Sequence, residues 1–348
     1  MKRTAAGMHT LKEIAEKAGV SIVAASVALN PSTHSRAKVS EMTRNKILRI
    51  AERFNYKPNT FARSLRKKRT GSIGFASDRY NDLANNELKH RVLRASIERN
   101  IPIQFLNYDQ YTAAGDMVRD MLSYDLEKLI VFRFWDRMDR AERKALSDRF
   151  GDRLLVLDYM GDGTAAHRAS FMYADFTRAW LDLFGHLVKR GYTRAAVLTY
   201  DIPPSAPGAD IFKSPQDARL KQLTAAYGKG FFDHTRDVFR TEITSPETVY
   251  AIARNIIAAG YDCIKIHHDQ IAPMVYKAAA DARKQIPMDI GIAGFDDIYF
   301  ARYLTPPLTT VKNDFDAYTE NIFRWLHAPM PSVIIPSSII ERESTARS

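Results

Sequence analysis

Charged side chains follow several predicted strands of this chain at the point where each strand ends. They are Asp78 after Ile73–Ala76, His268 and Asp269 after Cys263–Ile266, and Asp296 after Ile290–Ala293. In open α/β sheets, ligands bind outside the carboxyl ends of the strands. Carboxylates bind sugar hydroxyls through paired hydrogen bonds, so the positions predict a small-molecule site. Each carboxylate could instead cap a helix or form a surface ion pair.

Two other kinds of chemistry use the same residue types. His267, His268 and Asp269 are potential metal ligands, but adjacent residues at a strand end point in opposite directions, which argues against chelation by both histidines. Asp175 and Asp296 could form an acid/base pair, but the sequence gives no distance between them. The chain has no dinucleotide-binding glycine motif, phosphate loop or nucleophile elbow. We therefore predict no metal, no cofactor and no enzymatic activity.

The composition limits the class of protein. The single cysteine, Cys263, excludes an internal disulfide and a multi-cysteine zinc site, and it has no evident basic partner. The sequence contains no stretch of about 18 uninterrupted apolar residues, and its N-terminus has no apolar signal-peptide region. Hydrophobic residues make up 45% of the chain, enough for packed cores in roughly two to three domains. We expect a soluble cytoplasmic protein.

The excess positive charge lies entirely in the first fifth of the sequence. Residues 1–70 contain 16 Lys and Arg against four Glu, a net charge of +12, whereas the remaining residues carry −1. A basic module on a neutral body indicates a polyanionic partner, first of all nucleic acid. A solvated basic face is the alternative that charge alone leaves open.

This basic segment has the pattern of three short helices. Thr10–Glu13 forms a capping box, Gly19 permits a tight turn, and Ser21 can cap a second helix that runs to Leu29. A third helix is predicted from Ser40 to Phe54. Its apolar residues share one face: Ile47, Ile50, Ala51 and Phe54. Two helices joined by a short glycine-containing turn predict a helix-turn-helix motif.

From Gly71 onward, short apolar runs alternate with amphipathic stretches. Besides the three named above, the predicted strands are Ile101–Leu106, Leu129–Phe132, Leu154–Leu157 and Ala195–Leu198. Strands that alternate with helices predict parallel sheets covered on both faces. Two such series predict two α/β lobes.

These motifs together resemble the lactose-repressor (LacI/GalR) family of bacterial transcription regulators. The matching N-terminal segments are Thr10–Ala15, Ala18–Ser21, Asn30, Asn55–Asn59 and Ala62–Leu65. Toward the C-terminus, Asp289–Asp297 and Ala301–Val311 closely follow the family pattern, and Gly191-Tyr192 fits it. The resemblance implies an α/β fold with an N-terminal three-helix DNA-binding domain and a two-lobe, type I periplasmic-binding-protein-like effector domain.

The resemblance also implies DNA-binding roles for particular residues. Ser21 contacts phosphate, Ile22 and Val23 occupy the base-reading positions, and Leu65 wedges into the minor groove. The full DNA-binding set is Thr10, Ser21, Ile22, Val23, Ser26, Val27, Asn30, Arg36, Asn59, Arg63, Leu65 and Arg66.

The second helix departs from the family pattern. Where the family often has Thr-Val-Ser-Arg, this chain has Ala24–Val27. We therefore expect few hydrogen bonds to base edges, and mainly apolar contacts to thymine methyl groups. Specificity then depends on the hinge wedge, DNA shape and dimer geometry. The longer loop after Asn30 carries His34, Arg36 and Lys38, which could replace phosphate contacts or simply keep the loop soluble.

In the body, the resemblance implies an effector site. The implied residues are Asp78, Asp175, Arg219, His268 and Asp296, with His268 in place of an asparagine common in the family. Aromatic side chains at predicted strand-end loops of lobe one could stack on a sugar or cover the cleft rim: Tyr80, Phe134, Trp135 and Tyr159. Trp180 and Trp325 fit helices and are expected in the core.

The predicted organisation has three parts. Residues 1–57 form the helix-turn-helix domain, 58–70 the hinge, and 71–348 the effector and dimerisation domain. Lobe one is assigned to about 71–174 plus 305–330, and lobe two to about 175–304 plus 331–341. The expected function is a repressor that binds near-palindromic operator DNA as a homodimer, is controlled by a small molecule, most simply a sugar, and is nucleoid-associated when bound. A solute-binding protein without regulation is the alternative.

Overall fold

The chain divides into two compact units, Met1–Thr70 and Gly71–Ser348. The structure is a computed structural model. It describes residues 10–29, 39–54, 56, 72–78, 83–109, 112–157, 169–200, 209–241 and 245–347, without the side chains of 78, 200 and 209–216. No helix in these ranges is long and apolar enough to cross a membrane.

The N-terminal unit contains three helices. They are α1 (Leu11–Ala18), α2 (Ile22–Leu29) and α3 (Glu41–Arg53). The Thr10 hydroxyl accepts a hydrogen bond from the Glu13 amide at 3.3 Å, and the Glu13 carboxylate accepts one from the Thr10 amide. Gly19 ends α1 with φ of 66°, a left-handed conformation that favours glycine. The predicted three helices, the capping box and the glycine turn are confirmed.

The three helices enclose a small core of their own. Its buried members are Ile14, Ala18, Ala28, Ile47 and Ala51. Because α1, α2 and α3 each contribute to this core, the side chains left outside it are free to form a recognition surface.

The body contains two parallel-stranded sheets. The strands are β1 (Ile73–Asp78), β2 (Ile103–Tyr108), β3 (Lys128–Phe132), β4 (Leu154–Leu157), β5 (Ser170–Ala174), β6 (Ala195–Tyr200), β7 (Val238–Thr241), β8 (Cys263–Ile266), β9 (Gly291–Asp296), β10 (Thr309–Asn313), β11 (Val333–Ile335) and β12 (Ser337–Ile340). One sheet has the order β11-β5-β4-β3-β1-β2 and defines lobe one. The other has the order β12-β10-β9-β8-β6-β7 and defines lobe two; in it only β12 runs antiparallel.

Helices cover both faces of each sheet. They are α4 (Leu83–Glu98), α5 (Ala114–Ser123), α6 (Arg140–Phe150), α7 (Phe176–Lys189), α8 (Ala209–Phe231), α9 (Pro246–Ala258), α10 (Ala272–Asp281) and α11 (Phe315–His327). In lobe one, α5 and α6 pack on one face and α4 and α11 on the other. In lobe two, α7 and α8 face α9 and α10 across the sheet. The predicted two-lobe α/β architecture is confirmed.

The C-terminal strands change lobes in a way that the predicted boundaries missed. β10 lies within 305–330, which was assigned to lobe one, but it pairs with β9 in lobe two. β11 lies within 331–341, which was assigned to lobe two, but it pairs with β5 in lobe one. The assignment was wrong for these two strands because sheet membership is set by non-local pairing, which the sequence of a short strand does not specify.

Candidate functional sites

The carboxyl ends of β8 and β9 bring together two of the predicted effector residues. The Nδ1 atom of His268 lies 2.9 Å from Oδ2 of Asp296, and both side chains are buried. The other oxygen of Asp296, Oδ1, accepts a hydrogen bond from the Asn313 side-chain nitrogen, Nδ2, at 2.8 Å. The protein therefore holds this carboxylate in one orientation.

Asp269 is a structural carboxylate rather than an open ligand. Its side chain is fully buried, and it accepts hydrogen bonds from the Thr310 hydroxyl at 2.8 Å and from the Ile298 amide at 3.2 Å. Burial, together with the nearby Asp296, raises the pKa of Asp269 well above its usual range. Its strand-end position is thus explained by its bonds to two neighbouring segments.

Lys265, inside β8, is a site residue that the sequence analysis missed. Its side chain is fully buried, and its ammonium lies 3.3 Å from the centre of the Trp180 ring and 5.3 Å from that of Phe295. Within the described part of the chain, Lys265 Nζ has no hydrogen-bond partner. Burial and the Arg219 guanidinium lower the pKa of Lys265 well below its usual range. The sequence does contain a signal for this residue, because a lysine within an otherwise apolar strand is unusual and indicates a special role.

Arg219, on α8, lies over the same aromatic ring. Its guanidinium carbon is 5.7 Å from the centre of the Trp180 ring and 5.8 Å from that of Phe176, and the side chain is buried. Phe176 packs against a hydrophobic core of each lobe, so Arg219 lies at the boundary between them. Trp180 is buried as predicted, and the cationic groups of Lys265 and Arg219 both lie over its ring.

Further cations lie around this point. Arg133, directly after β3 in lobe one, donates a hydrogen bond to the Asn85 side chain at 2.8 Å. His267 Nδ1 lies 3.0 Å from the Thr199 hydroxyl oxygen. Burial and four neighbouring basic residues, Arg133 among them, lower the pKa of His267 well below its usual range. Basic side chains from both lobes therefore lie near the predicted effector residues His268 and Asp296.

The lobes also meet through a polar contact beside these residues. The Gln270 side-chain oxygen accepts a hydrogen bond from the Leu83 amide at 3.2 Å. Leu83 begins α4 in lobe one, and Gln270 follows the β8 strand end in lobe two. The side chain therefore satisfies one of the free amides at a helix N-terminus across the lobe boundary.

Other predicted residues have structural surroundings. Asp175 is exposed and caps α7, because its carboxylate accepts the Arg178 amide hydrogen at 2.9 Å. Phe134 and Trp135 are buried in the core of lobe one, so the stacking or rim role predicted for them is wrong: their apolar rings pack under the sheet. The side chain of Asp78, and Tyr80 and Tyr159, lie outside the described residues.

The N-terminal unit exposes the predicted base-reading positions. Ile22 and Val23 are 38% and 61% exposed at the first turn of α2. The Ser21 hydroxyl accepts the Ala24 amide hydrogen at 3.1 Å and so caps this helix. Ser26 and Val27 are half-buried. An exposed apolar pair at a helix N-terminus suits contact with thymine methyls beside phosphate-binding amides.

Half of the predicted DNA-binding residues cannot be placed. Asn30, Arg36, Asn59, Arg63, Leu65 and Arg66 lie outside the described residues, as do His34, Lys38 and the proline-rich segment 202–208.

A helix-turn-helix unit joined to a two-lobe α/β body is the architecture expected of a DNA-binding regulator that carries a ligand-binding domain. Residues 10–59 match the family of bacterial regulatory proteins of the lacI type, and residues 184–345 match the periplasmic binding protein-like domain. The chain therefore combines a lacI-type DNA-binding unit with a periplasmic-binding-protein-like domain. It is a transcriptional regulator, neither an enzyme nor a solute-binding protein without a regulatory role.

Known proteins of similar length match along most of the chain. The ribose operon repressor of Escherichia coli strain K12 is 25% identical over 335 residues, which cover 90% of each chain. The transcriptional repressor PurR of Escherichia coli O139:H28 is 23% identical over 374 residues, covering 97% of each. The lac repressor dimer bound to operator and an anti-inducer has a TM-score of 0.76 at 21% identity, covering 97% of this chain and 99% of that one. A LacI-family regulator from Enterococcus faecium with bound ribose has a TM-score of 0.61 at 19% identity, covering 80% and 99%.

Replacing Lys265 with methionine is expected to stabilise the protein by about 1–3 kcal/mol at pH 7, because an apolar side chain of similar length removes a buried amine without a hydrogen bond. The lowered pKa of Lys265 gives the sign of the pH dependence. The Lys265 amine binds its proton more tightly in the unfolded chain than in the folded protein. The loss of folding stability that Lys265 causes is therefore present below the ordinary lysine pKa and disappears as the pH rises above it.

Urea unfolding at pH 7 and near pH 10.5, about the ordinary lysine pKa, measures this effect. Lys277→Met is the matched control, since Lys277 is exposed and pairs with Asp281 one helical turn away. A loss of stability in Lys265→Met would show that the ammonium–Trp180 contact outweighs the cost of burial.

Proposed function

We propose that the chain is a repressor that binds near-palindromic operator DNA as a homodimer and changes its DNA affinity when a small molecule binds between its lobes. The observation that carries the ligand-binding half is that Arg219, His268 and Asp296 lie near Lys265 and Arg133, around the carboxyl end of β8. We assign the ligand to the carbohydrate class, which the names of a ribose operon repressor and a ribose-bound neighbour support. The protein acts in the cytoplasm, on the nucleoid when bound.

The DNA-binding half rests on the exposed apolar turn of α2 and on the basic N-terminal charge. Ile22 and Val23 contact base edges, Ser21 and the helix amides contact phosphate, and Thr10, Ser26 and Val27 complete the described part of the surface. The remaining contacts are assigned to the residues outside the described ranges: Asn30, Arg36, Asn59, Arg63, Leu65 and Arg66. Two such units in a homodimer read two half-sites.

Selection from a random duplex library tests this function. The full chain should enrich an inverted repeat, and its affinity for that repeat should fall steeply with salt because phosphate contacts release counterions. Enrichment of unrelated sequences with no dyad would contradict dimeric operator recognition.

Replacing Leu65 with alanine is expected to lower operator affinity by about tenfold or more, because the predicted minor-groove wedge supports a bent duplex. Leu65→Met, which keeps a long apolar side chain, is the matched control. Fluorescence anisotropy with the selected duplex measures both variants, and ligand binding should be unchanged in each. Wild-type affinity in Leu65→Ala would remove the wedge from the mechanism.

A further inference from the structure

The buried lysine of lobe two is the feature that the fold leaves unexplained. β8 is completely buried, and three of its four residues are apolar, so a fourth apolar side chain would complete the core. Lys265 occupies that position, and its amine has no hydrogen-bond partner within the described ranges. An unpartnered polar group at such a place costs stability, so its presence points to a partner that is not part of the chain.

The acidic groups nearest to Lys265 are already engaged. Asp269 holds Thr310 and the Ile298 amide, and Asp296 is held by His268 and Asn313. No ion pair joins Lys265 to a carboxylate among the described residues; the charges that face it are these two carboxylates and the Arg219 guanidinium. Neither carboxylate is a hydrogen-bond partner of the Lys265 amine.

The surrounding cations come from both sides of the cleft. Arg219 lies over Trp180, the ring that Lys265 also faces, and over Phe176 at the lobe boundary. Arg133 enters from lobe one, where its bond to Asn85 fixes its direction. A neutral sugar supplies hydroxyl groups but no charge, whereas a carboxylate or phosphate satisfies an ammonium and a guanidinium together.

We propose that the effector is an anionic carbohydrate, a sugar acid or a sugar phosphate, whose charged group binds Lys265 and Arg219 while its hydroxyl groups bind His268 and Asp296. This inference rests on the proposed effector function and specifies the ligand class. Binding supplies the hydrogen bonds that Lys265 lacks, and the anion joins lobe two to Arg133 of lobe one.

Matched pairs of probes test the proposal on the full chain. D-glucuronate is compared with D-glucose, and ribose 5-phosphate with D-ribose, by thermal shift and calorimetry; inorganic phosphate is measured alone. The charged member of at least one pair should bind at least about 50-fold more tightly than its neutral partner, since charge-assisted hydrogen bonds are the strong ones. The pair that responds distinguishes a carboxylate from a phosphate.

Variants then test whether the anionic group of the ligand binds at Lys265. Lys265→Met should weaken the charged probe at least about 30-fold, so that the ratio between the affinities of the charged and the neutral probe falls toward one. Lys277→Met, an exposed lysine on α10, should behave as wild type.

Two results overturn the inference and are distinguishable. Equal binding of charged and neutral probes, unaffected by Lys265→Met, would leave the effector function standing with a neutral sugar as ligand. A response to none of the charged probes would reject the anionic class, and if no neutral sugar bound either, the proposed effector function would fail with it.

Discussion

Replacing Gly294 with alanine is expected to lower the free energy of unfolding by about 4 kcal/mol or more. A Cβ atom at this position would lie 1.9 Å from Oδ1 of Asp269 and 2.8 Å from the Leu308 side chain. Asp269 cannot give way without losing its hydrogen bonds to Thr310 and Ile298, all inside a buried region. The energetic costs of overpacking and of broken buried hydrogen bonds therefore add at this site.

Urea unfolding measures this loss, with Gly230→Ala as the matched control. Gly230 lies near the end of α8, after the break in helical geometry at Gly228, with nothing within 4 Å of an added Cβ, so alanine there should change stability by no more than about 1 kcal/mol. A double-mutant cycle isolates the clash: in an Asp269→Ala background, Gly294→Ala should cost much less. A loss below about 1 kcal/mol in the single variant would contradict the close packing of Gly294 against Asp269.

Removing residues 1–70 is expected to reduce affinity for duplex DNA by at least about a thousandfold, because the lost unit carries a charge of +12 and the remainder −1. Residues 71–348 form a compact unit with their own cores on both faces of two sheets, so this fragment should fold.

Anisotropy with the selected duplex, at one fixed salt concentration, measures the loss. Ligand-induced thermal shifts of the fragment are the control, and they should match those of the full chain. DNA binding that survives the truncation would place part of the DNA-binding surface in the body.

Local features of the sequence predicted local structure well. The Thr10 capping box, the Gly19 turn and the apolar face of α3 each depend on residues a few positions apart, and all were confirmed. The strand-end rule likewise predicted that His268 and Asp296 would come together, because parallel strands end at one edge of a sheet.

Non-local features escaped the sequence analysis. The pattern gave no means to tell that β10 and β11 pair in opposite lobes, since strands of three to five residues fit either sheet. Phe134 and Trp135 were assigned to the cleft by position, yet tertiary packing buries them. Lys265 was not predicted as a site residue because its significance depends on Trp180 and Arg219, which come from two helices distant in the sequence.

The operator affinity of the full chain, measured by anisotropy with and without a saturating cleft ligand, tests the central claim most directly. A regulator controlled through its lobes should show affinities that differ by about 5- to 150-fold, and bound operator should change ligand affinity by the same factor. Superimposable titration curves with ligand bound would contradict the account, because the cleft would then be occupied without any effect on DNA binding.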